Sequence, residues 1–455
     1  MNRKNIFLTL FILICVCSIS CKKDFLDVRP NSKEVKFSAA DCQALLDNFD
    51  VMNALYPIDG ELSSDNYYLL TSTYNGLFDQ ADKDIHRWAS DARRNGANSS
   101  WIAPYTVVYN ANLVIKVLQD DPGNLNQITI NTLRGSALFF RAHAFFQVAQ
   151  LYAKPYDQNS TNSDPGIPVR TEPDLEVESE RGTVKQTYDR IIQDFKEAIT
   201  LLPLTSSIKS RPNRVAAFAA LARTFLAMED YNNAGIYADS CLKYHKTLLD
   251  YNSISRTSLT PFTRFNDEVI FHSTTNAAGP VRPSIALIDT LLYRSYNDHD
   301  LRKEIFFNPV AAGQRFTGNY NPVTIAAFFN GFATDEVYLI RAECYARNGK
   351  IDLAMADLNT LMKTRWDDNV VYPTIGATTV DEALSKVIEE RRKELLFRGL
   401  RWSDLRRLNK DTKFQKTLYR NLDGTTYSLP PNDKRYVLLI DQQVINNSNL
   451  QQNPR

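Results

Sequence analysis

Residues 218–238, FAALARTFLAMEDYNNAGIYA, and residues 338–358, YLIRAECYARNGKIDLAMADL, repeat one pattern at a distance of 120 residues. Phe218, Ala222, Phe225, Ala234 and Ala238 of the first stretch correspond to Tyr338, Ala342, Tyr345, Ala354 and Leu358 of the second. Each stretch predicts a helix, a short turn and a second helix, with the spacing of a tetratricopeptide-like pair. The small residue lets two helix backbones approach while the aromatic fills the groove beside it, so the pair buries a face that neither helix would bury alone. Asn348-Gly349-Lys350 supplies the turn in the second copy. Such pairs are scaffold rather than catalytic machinery.

Outward from the repeat, further segments carry helical apolar spacing. Val107, Ala111, Val114, Ile115 and Leu118 mark one stripe. Between Leu133 and Ala153, the residues Leu133, Ala137, Phe140, Ala144, Val148 and Leu151 line a face that Phe139, Phe145 and Phe146 widen, which predicts a central helix. Thr183-Val184-Lys185-Gln186 has the form of a capping box, and Tyr188, Ile191, Ile192, Phe195, Ile199 and Leu202 continue it as a surface helix until Pro203. Two stretches, Asp59–Trp101 and Phe262–Phe332, lack this periodicity but are rich in aromatics, which predicts folded binding loops on one side of a helical scaffold.

The amino terminus reads differently. Arg3 and Lys4 precede an apolar run from Ile6 to Ile19 that closes in Ser18-Ile19-Ser20-Cys21. The run is shorter than the roughly 20 residues a spanning helix needs, and small residues just before a cysteine suit a lipoprotein signal peptidase. Residues 1–20 are therefore expected to be a signal peptide, Cys21 the lipidated first residue, and residues 21–40 a polar tether. No later segment is apolar for long enough to cross a bilayer, so residues 41–455 are expected to fold as one domain held at a membrane by its lipid. A channel is excluded on that reading.

Composition narrows the class further. At 44% hydrophobic and 23% charged the chain is ordinary for a globular protein. Its 53 basic and 52 acidic residues nearly cancel, so nothing favours nucleic acid as a partner. Beyond the signal and Cys21 the cysteines are Cys42, Cys241 and Cys344, too widely spaced for a zinc pattern and too few for a disulfide framework. Each is expected as a small buried side chain.

Several stretches, in order, resemble the SusD/RagB family of outer-membrane lipoproteins. They are WIAPYTVVYNANLVIKVL (101–118), the helix from Leu133 to Tyr156 with Arg134, Ala137, Arg141, Ala142 and its closing YAKPYD, and Gly166-Ile167-Pro168-Val169. Tyr188–Pro203, the two helix pairs and EERRKELLFRGLRWSDLRRL (389–408) follow, and Tyr436-Val437-Leu438 and Gln451-Gln452-Asn453-Pro454 close the chain. Leu439-Ile440-Asp441 departs from the family, which usually has a proline-bracketed Ile there. The resemblance implies a mainly all-α, SusD-like fold: tetratricopeptide-like helix pairs on one side and an irregular, loop-rich ligand-binding face on the other. An amino-terminal part would cover about 41–250 and a carboxyl-terminal part about 260–455. It also implies a partner, a TonB-dependent outer-membrane barrel of the SusC/RagA type, with the chain anchored by lipid at the cell surface and delivering glycans or other nutrients to it. No cofactor or metal is expected from the residues themselves.

Sugar rings present apolar C–H faces, so flat aromatics beside amides and carboxylates make a receptor at little ordering cost. The loop aromatics Tyr67, Tyr74, Trp88, Tyr296 and Tyr320 are the leading candidates, with Tyr68, Phe78 and Phe316 beside them and Asp65, Asn66 and Arg93 as polar contacts. The competing reading makes each ring a plug for the scaffold beneath it. Trp101 and Trp402 lie on the helical motifs and are expected in the core.

A glycoside hydrolase would need two carboxylates across a cleft. Glu389, Glu390 and Glu394 instead alternate with Arg391, Arg392 and Lys393, which predicts ion pairing within a helix. The five histidines are scattered, and no His-Glu-x-x-His, Gly-x-Ser-x-Gly or phosphate loop occurs. Asn297-Asp298-His299-Asp300 lacks the glycine and closing Glu of a calcium loop and reads as a solvated turn. Two other readings stay open: a peptide or other non-sugar cargo, and a protein-interaction scaffold using the grooves of the pairs. The expected function is binding, not catalysis.

Overall fold

Helices form where the apolar stripes fall. In the computed structural model, which describes residues 37–96, 99–276, 279–322 and 327–455, nine helices among the described residues reach eight residues or more. They are α1 (Ile102–Asp120), α2 (Gln127–Tyr152), α3 (Val184–Leu201), α4 (Arg214–Ala227), α5 (Tyr231–Tyr244), α6 (Thr334–Arg347), α7 (Ile351–Lys363), α8 (Val380–Glu394) and α9 (Arg401–Leu408). The signal peptide, Cys21 and the tether as far as residue 36 lie outside the described residues, and Ala39–Arg455 form one compact unit. No described helix is long and apolar enough to cross a membrane.

α2 is the axis of the helical part. It begins six residues before its apolar stripe, because the Asn126 side chain accepts from the Thr129 N–H at 2.9 Å and caps the first turn. From Gly135 to Tyr152 only Gln150 escapes burial, so this stretch is covered on every side. α1 and α3 flank it, and α4 packs on α3. The capping box of α3 is complete: the Gln186 N–H donates to Thr183 Oγ1 at 3.1 Å and the Thr183 N–H to Gln186 Oε1 at 2.8 Å.

α4–α5 and α6–α7 are the two repeated pairs, and α5 packs on α6 to continue the stack. Ala222, Ala234, Ala342 and Ala354 are wholly buried where the helices cross, and Phe225 lies parallel to Tyr237 with ring centroids 5.5 Å apart. Both turns use a left-handed residue at equivalent places, Glu229 (φ +60°) and Gly349 (φ +73°). Leu339, Ala342, Leu358 and Leu361 of the second pair share a core with Ala383, Leu384 and Val387 of α8.

The two aromatic-rich stretches are built from short helices and strands. Five antiparallel two-stranded ladders are described: β1 (Tyr67–Tyr68) with β5 (Leu287–Ile288), β2 (Pro165–Pro168) with β3 (Arg181–Thr183), and β4 (Val269–Phe271) with β8 (Phe332–Ala333). The others are β6 (Phe307–Val310) with β7 (Gly313–Phe316), and β9 (Leu418–Leu422) with β10 (Thr425–Leu429). Residues from 58–92 and 251–333 enclose their own apolar core, joined by Leu396, Phe397 and Leu422. Cys42, Cys241 and Cys344 are buried, and burial pushes the Cys42 thiol up to about 11.

The 389–408 segment ties the two cores together, and here the expectation of pairing within one helix needs correction. Lys393 Nζ does lie 2.9 Å from both Glu389 and Glu390. Glu390 and Glu394, however, also pair with Arg302, at 2.5 and 2.9 Å, and Glu394 with Arg365 at 2.7 Å, while Arg365 reaches Glu268 at 2.8 Å. Arg302, Arg365, Glu268 and Glu394 have no exposed side-chain surface. Charges so buried persist only with several partners each, which one helix face cannot supply. Asp300 belongs to this network, bonded to Arg302 at 2.6 Å, so the turn at Asn297–Asp300 is solvated only on its outer part, where Asp298 meets Lys303.

Candidate functional site

Two strands and one loop converge on an open cleft of about 570 Å³. Its walls are Asp65 and Tyr67–Leu69 around β1, Asp289–Leu291 after β5, and Lys416–Leu422 through β9, with His86 and Trp88 at the floor. β9 alternates strictly, burying Leu418, Arg420 and Leu422 and exposing Tyr419 and Asn421. That alternation is held by the tight hairpin to β10. Leu422 pairs with Thr425 across Asp423-Gly424, both at positive φ (+50° and +71°), the requirement of a two-residue turn matching the twist of the strands.

The floor is a rigid stack. Trp88 follows the short helix Gln80–His86 in the left-handed region (φ +55°), and its Nε1–H donates to the Ser63 carbonyl at 2.9 Å. The Arg420 guanidinium lies over the Trp88 ring at 4.6 Å and the Tyr67 ring at 5.0 Å, and donates to the Leu62 and Ser64 carbonyls at 3.0 and 2.6 Å. Tyr67 Oη lies 2.9 Å from His86 Nδ1. Burial and the adjacent Arg420 hold His86 well below its ordinary pKa, so it is a neutral part of the floor at pH 7.

Asp65 sets the charge at one end. Arg401 grips it at 2.7 and 3.0 Å and Lys416 at 2.7 Å, with Arg392 at 3.3 Å. Burial alone would raise this carboxyl, but Arg392, Arg401 and Lys416 hold it well below the ordinary range. It is an anchored anion rather than a proton donor. Asp289 caps the next helical turn by accepting from the Leu292 N–H at 2.8 Å. The accessible rim therefore includes two tyrosine rings, Tyr68 and Tyr419, one leucine, Leu291, and the polar heads of Asn421 and Lys416, with Thr290 and Thr417 beside them. Tyr68 is half-buried, with its hydroxyl donating to the Ala312 carbonyl at 3.1 Å, which fixes the plane of the ring.

The structure thus divides the aromatics named from sequence. Tyr67 and Trp88 are at the cleft but form its floor; their rings are 3% and 4% exposed and their polar atoms are engaged. Tyr74 and Phe316 are buried in the apolar core beside it. Tyr296 and Tyr320 are deeper struts: Tyr296 Oη donates to the Lys393 carbonyl at 2.7 Å and Tyr320 Oη to Glu268 at 2.6 Å. None of these five leading candidates, Tyr67, Tyr74, Trp88, Tyr296 and Tyr320, presents a free ring face, because a loop of this density must plug the scaffold to stay ordered. Of the polar candidates, Asn66 is buried and receives Arg392, and Arg93 bonds Gln442 and the Asp91 carbonyl. Phe78 is fully exposed and away from the cleft lining, while Trp101 and Trp402 are core residues as expected.

Tyr419, Asn421, Lys416 and Leu291 line the cleft and are not among the candidates named from sequence. The signal for the first two was present in the alternation LYRNL followed by Asp-Gly, a hairpin pattern. Among the described residues no group of three or more His, Cys, Asp or Glu side chains is placed to hold a metal ion.

Two family models match the chain. Residues 24–226 match one described as starch-binding and associating with the outer membrane, and residues 334–455 match the SusD family. Among solved structures, a SusD superfamily protein from Bacteroides thetaiotaomicron is 20% identical, with a TM-score of 0.74 over 92% of this chain and 100% of that one. A putative sugar-binding protein from Bacteroides vulgatus is 20% identical, with a TM-score of 0.73 over 92% and 98%. Surface glycan-binding protein A from Bacteroides uniformis is 16% identical, with a TM-score of 0.69 over 91% and 99%. These likenesses establish the fold. No curated protein matches the sequence.

Proposed function

Because the chain belongs to the SusD/RagB family, whose members associate with the outer membrane, we propose that it is a cell-surface glycan-binding lipoprotein that hands oligosaccharides to a TonB-dependent barrel for import. The observation that carries this reading is the rim of the β1–β9 cleft: Tyr68 and Tyr419 offer ring faces, and Asn421 and Lys416 offer polar heads, above a floor that cannot collapse. A ring face beside an amide matches the alternation of apolar C–H faces and hydroxyls on a sugar.

Binding rather than catalysis is favoured by the state of the carboxylates. Hydrolysis of a glycoside needs a carboxyl kept protonated beside a second, ionised one. At the cleft, Asp65 is held ionised by three cations and Asp289 is committed to capping a turn, while Glu61, which burial lifts to about 7, is wholly buried and lies outside the cleft lining. Glu390 and Glu394, which burial would raise, are kept low by Arg302, and by Arg365 in the case of Glu394. The likeness to the putative sugar-binding protein of Bacteroides vulgatus and to surface glycan-binding protein A of Bacteroides uniformis supports the same class of ligand.

Native gels cast with soluble polysaccharides test the reading. Retardation of the purified protein by at least one neutral glycan is expected, and unchanged mobility across a broad panel, with retention on immobilised peptides instead, would move the cargo to peptides. The anchor and the partner are checked on full-length protein extracted from outer membranes. An acylated Cys21 and a co-purifying barrel are expected; an unmodified Cys21 or a protein recovered alone would sink those two assignments.

A further inference from the structure

The arginines of α9 are not treated alike. Arg401 pairs with Asp65, and Arg407 with Glu343 and Asp404. Arg406, only 3% exposed, has no carboxylate within ion-pair distance among the described residues. Its Nη2–H donates to the Ala153 carbonyl, while Nε–H and both hydrogens of Nη1 are buried without a partner. Burial draws its pKa down to about 10, with only the Tyr188 hydroxyl opposing. A buried guanidinium with one hydrogen bond carries a large desolvation cost, which an anionic partner would offset.

Arg406 lines a separate cavity of about 310 Å³, at the small end of the range for small-molecule sites. Two more polar groups on the same lining, Asn409 Nδ2 and Tyr436 Oη, are buried and face each other, with no other partner among the described residues. All three are hydrogen-bond donors. The acids near the rim are already engaged: Asp164 with Lys154 and Ser160 at 2.6 Å each, Asp433 with Arg435 at 2.8 Å, and Asp157 with the Asn159 N–H at 2.9 Å. The lysines of the opening are engaged as well, Lys154 with Asp164, Lys410 with Glu229 and Lys434 with the Arg455 carbonyl, which leaves Arg406 as the cation of the lining without a counter-ion among the described residues. What is missing from the cavity is an acceptor with negative charge.

We propose that this cavity binds an oxyanion, a carboxylate or sulfate group, with Arg406 as its counter-ion and Asn409 and Tyr436 as supporting donors. The guanidinium, holding one hydrogen bond, gives up little by turning toward the cavity to meet it. The group is either the carboxylate of an acidic sugar or a free inorganic anion, and it is distinct from the ligand of the β1–β9 cleft, so failure here leaves the cleft reading untouched.

The test is thermal unfolding and calorimetry of the purified protein with sodium glucuronate, sodium sulfate and glucose at constant ionic strength. A saturable rise in Tm with glucuronate or sulfate, and none with glucose, is expected. Arg406→Met should weaken that binding at least tenfold, and Tyr436→Phe, which keeps the ring in place, by a smaller factor. Saturation by glucuronate alone assigns the organic carboxylate, and by sulfate assigns an inorganic oxyanion. No saturable response to either anion, or equal responses in the parent, Tyr436→Phe and any folded Arg406→Met protein, would overturn the proposal.

Discussion

At position 88 the backbone turns into the left-handed region, a conformation rare for a bulky residue, and the indole that follows is clamped between the Ser63 carbonyl and the Arg420 guanidinium. Tyr419, in the same cleft, touches little and is 65% exposed. Both are aromatics in irregular sequence, and composition cannot separate a ring that receives a ligand from one that plugs a core. The two are separable by stability. Trp88→Ala should cost about 3–5 kcal/mol, the range for emptying an aromatic core site, whereas Tyr419→Ala should stay within about 0.5 kcal/mol, as exposed positions do. Urea unfolding of the two variants measures both. Near the cleft, Glu61 is wholly buried, and burial lifts its carboxyl to about 7 against the opposing hydrogen bonds from the Gly399 N–H and Ser64 hydroxyl. In the unfolded chain it titrates near about 4.3. The folded state therefore keeps a proton that the unfolded state has lost, and this residue's contribution to stability is full below about pH 4 and declines as pH rises to about 7. Glu61→Gln should flatten that decline, seen as a smaller difference in urea midpoint between pH 4.5 and 7.5; an undiminished difference would contradict the assignment.

At the scale of elements, the repeat shows what periodicity carries and what it omits. Ala222 and Ala342, matched in sequence, are matched in burial, because a helix crossing admits only a small side chain on both copies. The turns carry the same geometry with different residues. Gly349 takes φ +73° at no steric cost, while Glu229 adopts φ +60° and pairs with Lys410. Gly349→Ala should destabilise by about 1–2 kcal/mol, the penalty for a side chain in that region, and Glu229→Gly should be neutral to mildly stabilising. Thermal unfolding of the pair decides it, and a harmless Gly349→Ala would show that the turn relaxes. The segment 389–408 taught the reverse lesson. Its alternating charges have the spacing of pairs within one helix, but spacing holds no information about Arg302 and Arg365, which arrive from distant parts of the chain to share Glu394.

For the whole molecule, the order of helical motifs from Trp101 to the carboxyl terminus was enough to define the architecture, because each stripe specifies a packing face and the repeat specifies how the faces stack. The second core, enclosed by residues from 58–92 and 251–333, is legible only as aromatic-rich sequence, since strands of two to four residues leave no periodicity to read. The accessible rim at 416–422 lay outside every stretch carrying the resemblance and was reached only through the fold. Nearly cancelling charge, 53 basic residues against 52 acidic, fits recognition by shape and stacking rather than by field. Calorimetric titration of the purified protein with a retained oligosaccharide, beside its Tyr419→Ala and Phe78→Ala variants, tests glycan binding at the β1–β9 cleft most directly. Affinity about tenfold weaker in Tyr419→Ala, the equivalent of about 1.4 kcal/mol of lost stacking, and unchanged in Phe78→Ala is the predicted result. Equal affinity in all three proteins would contradict it.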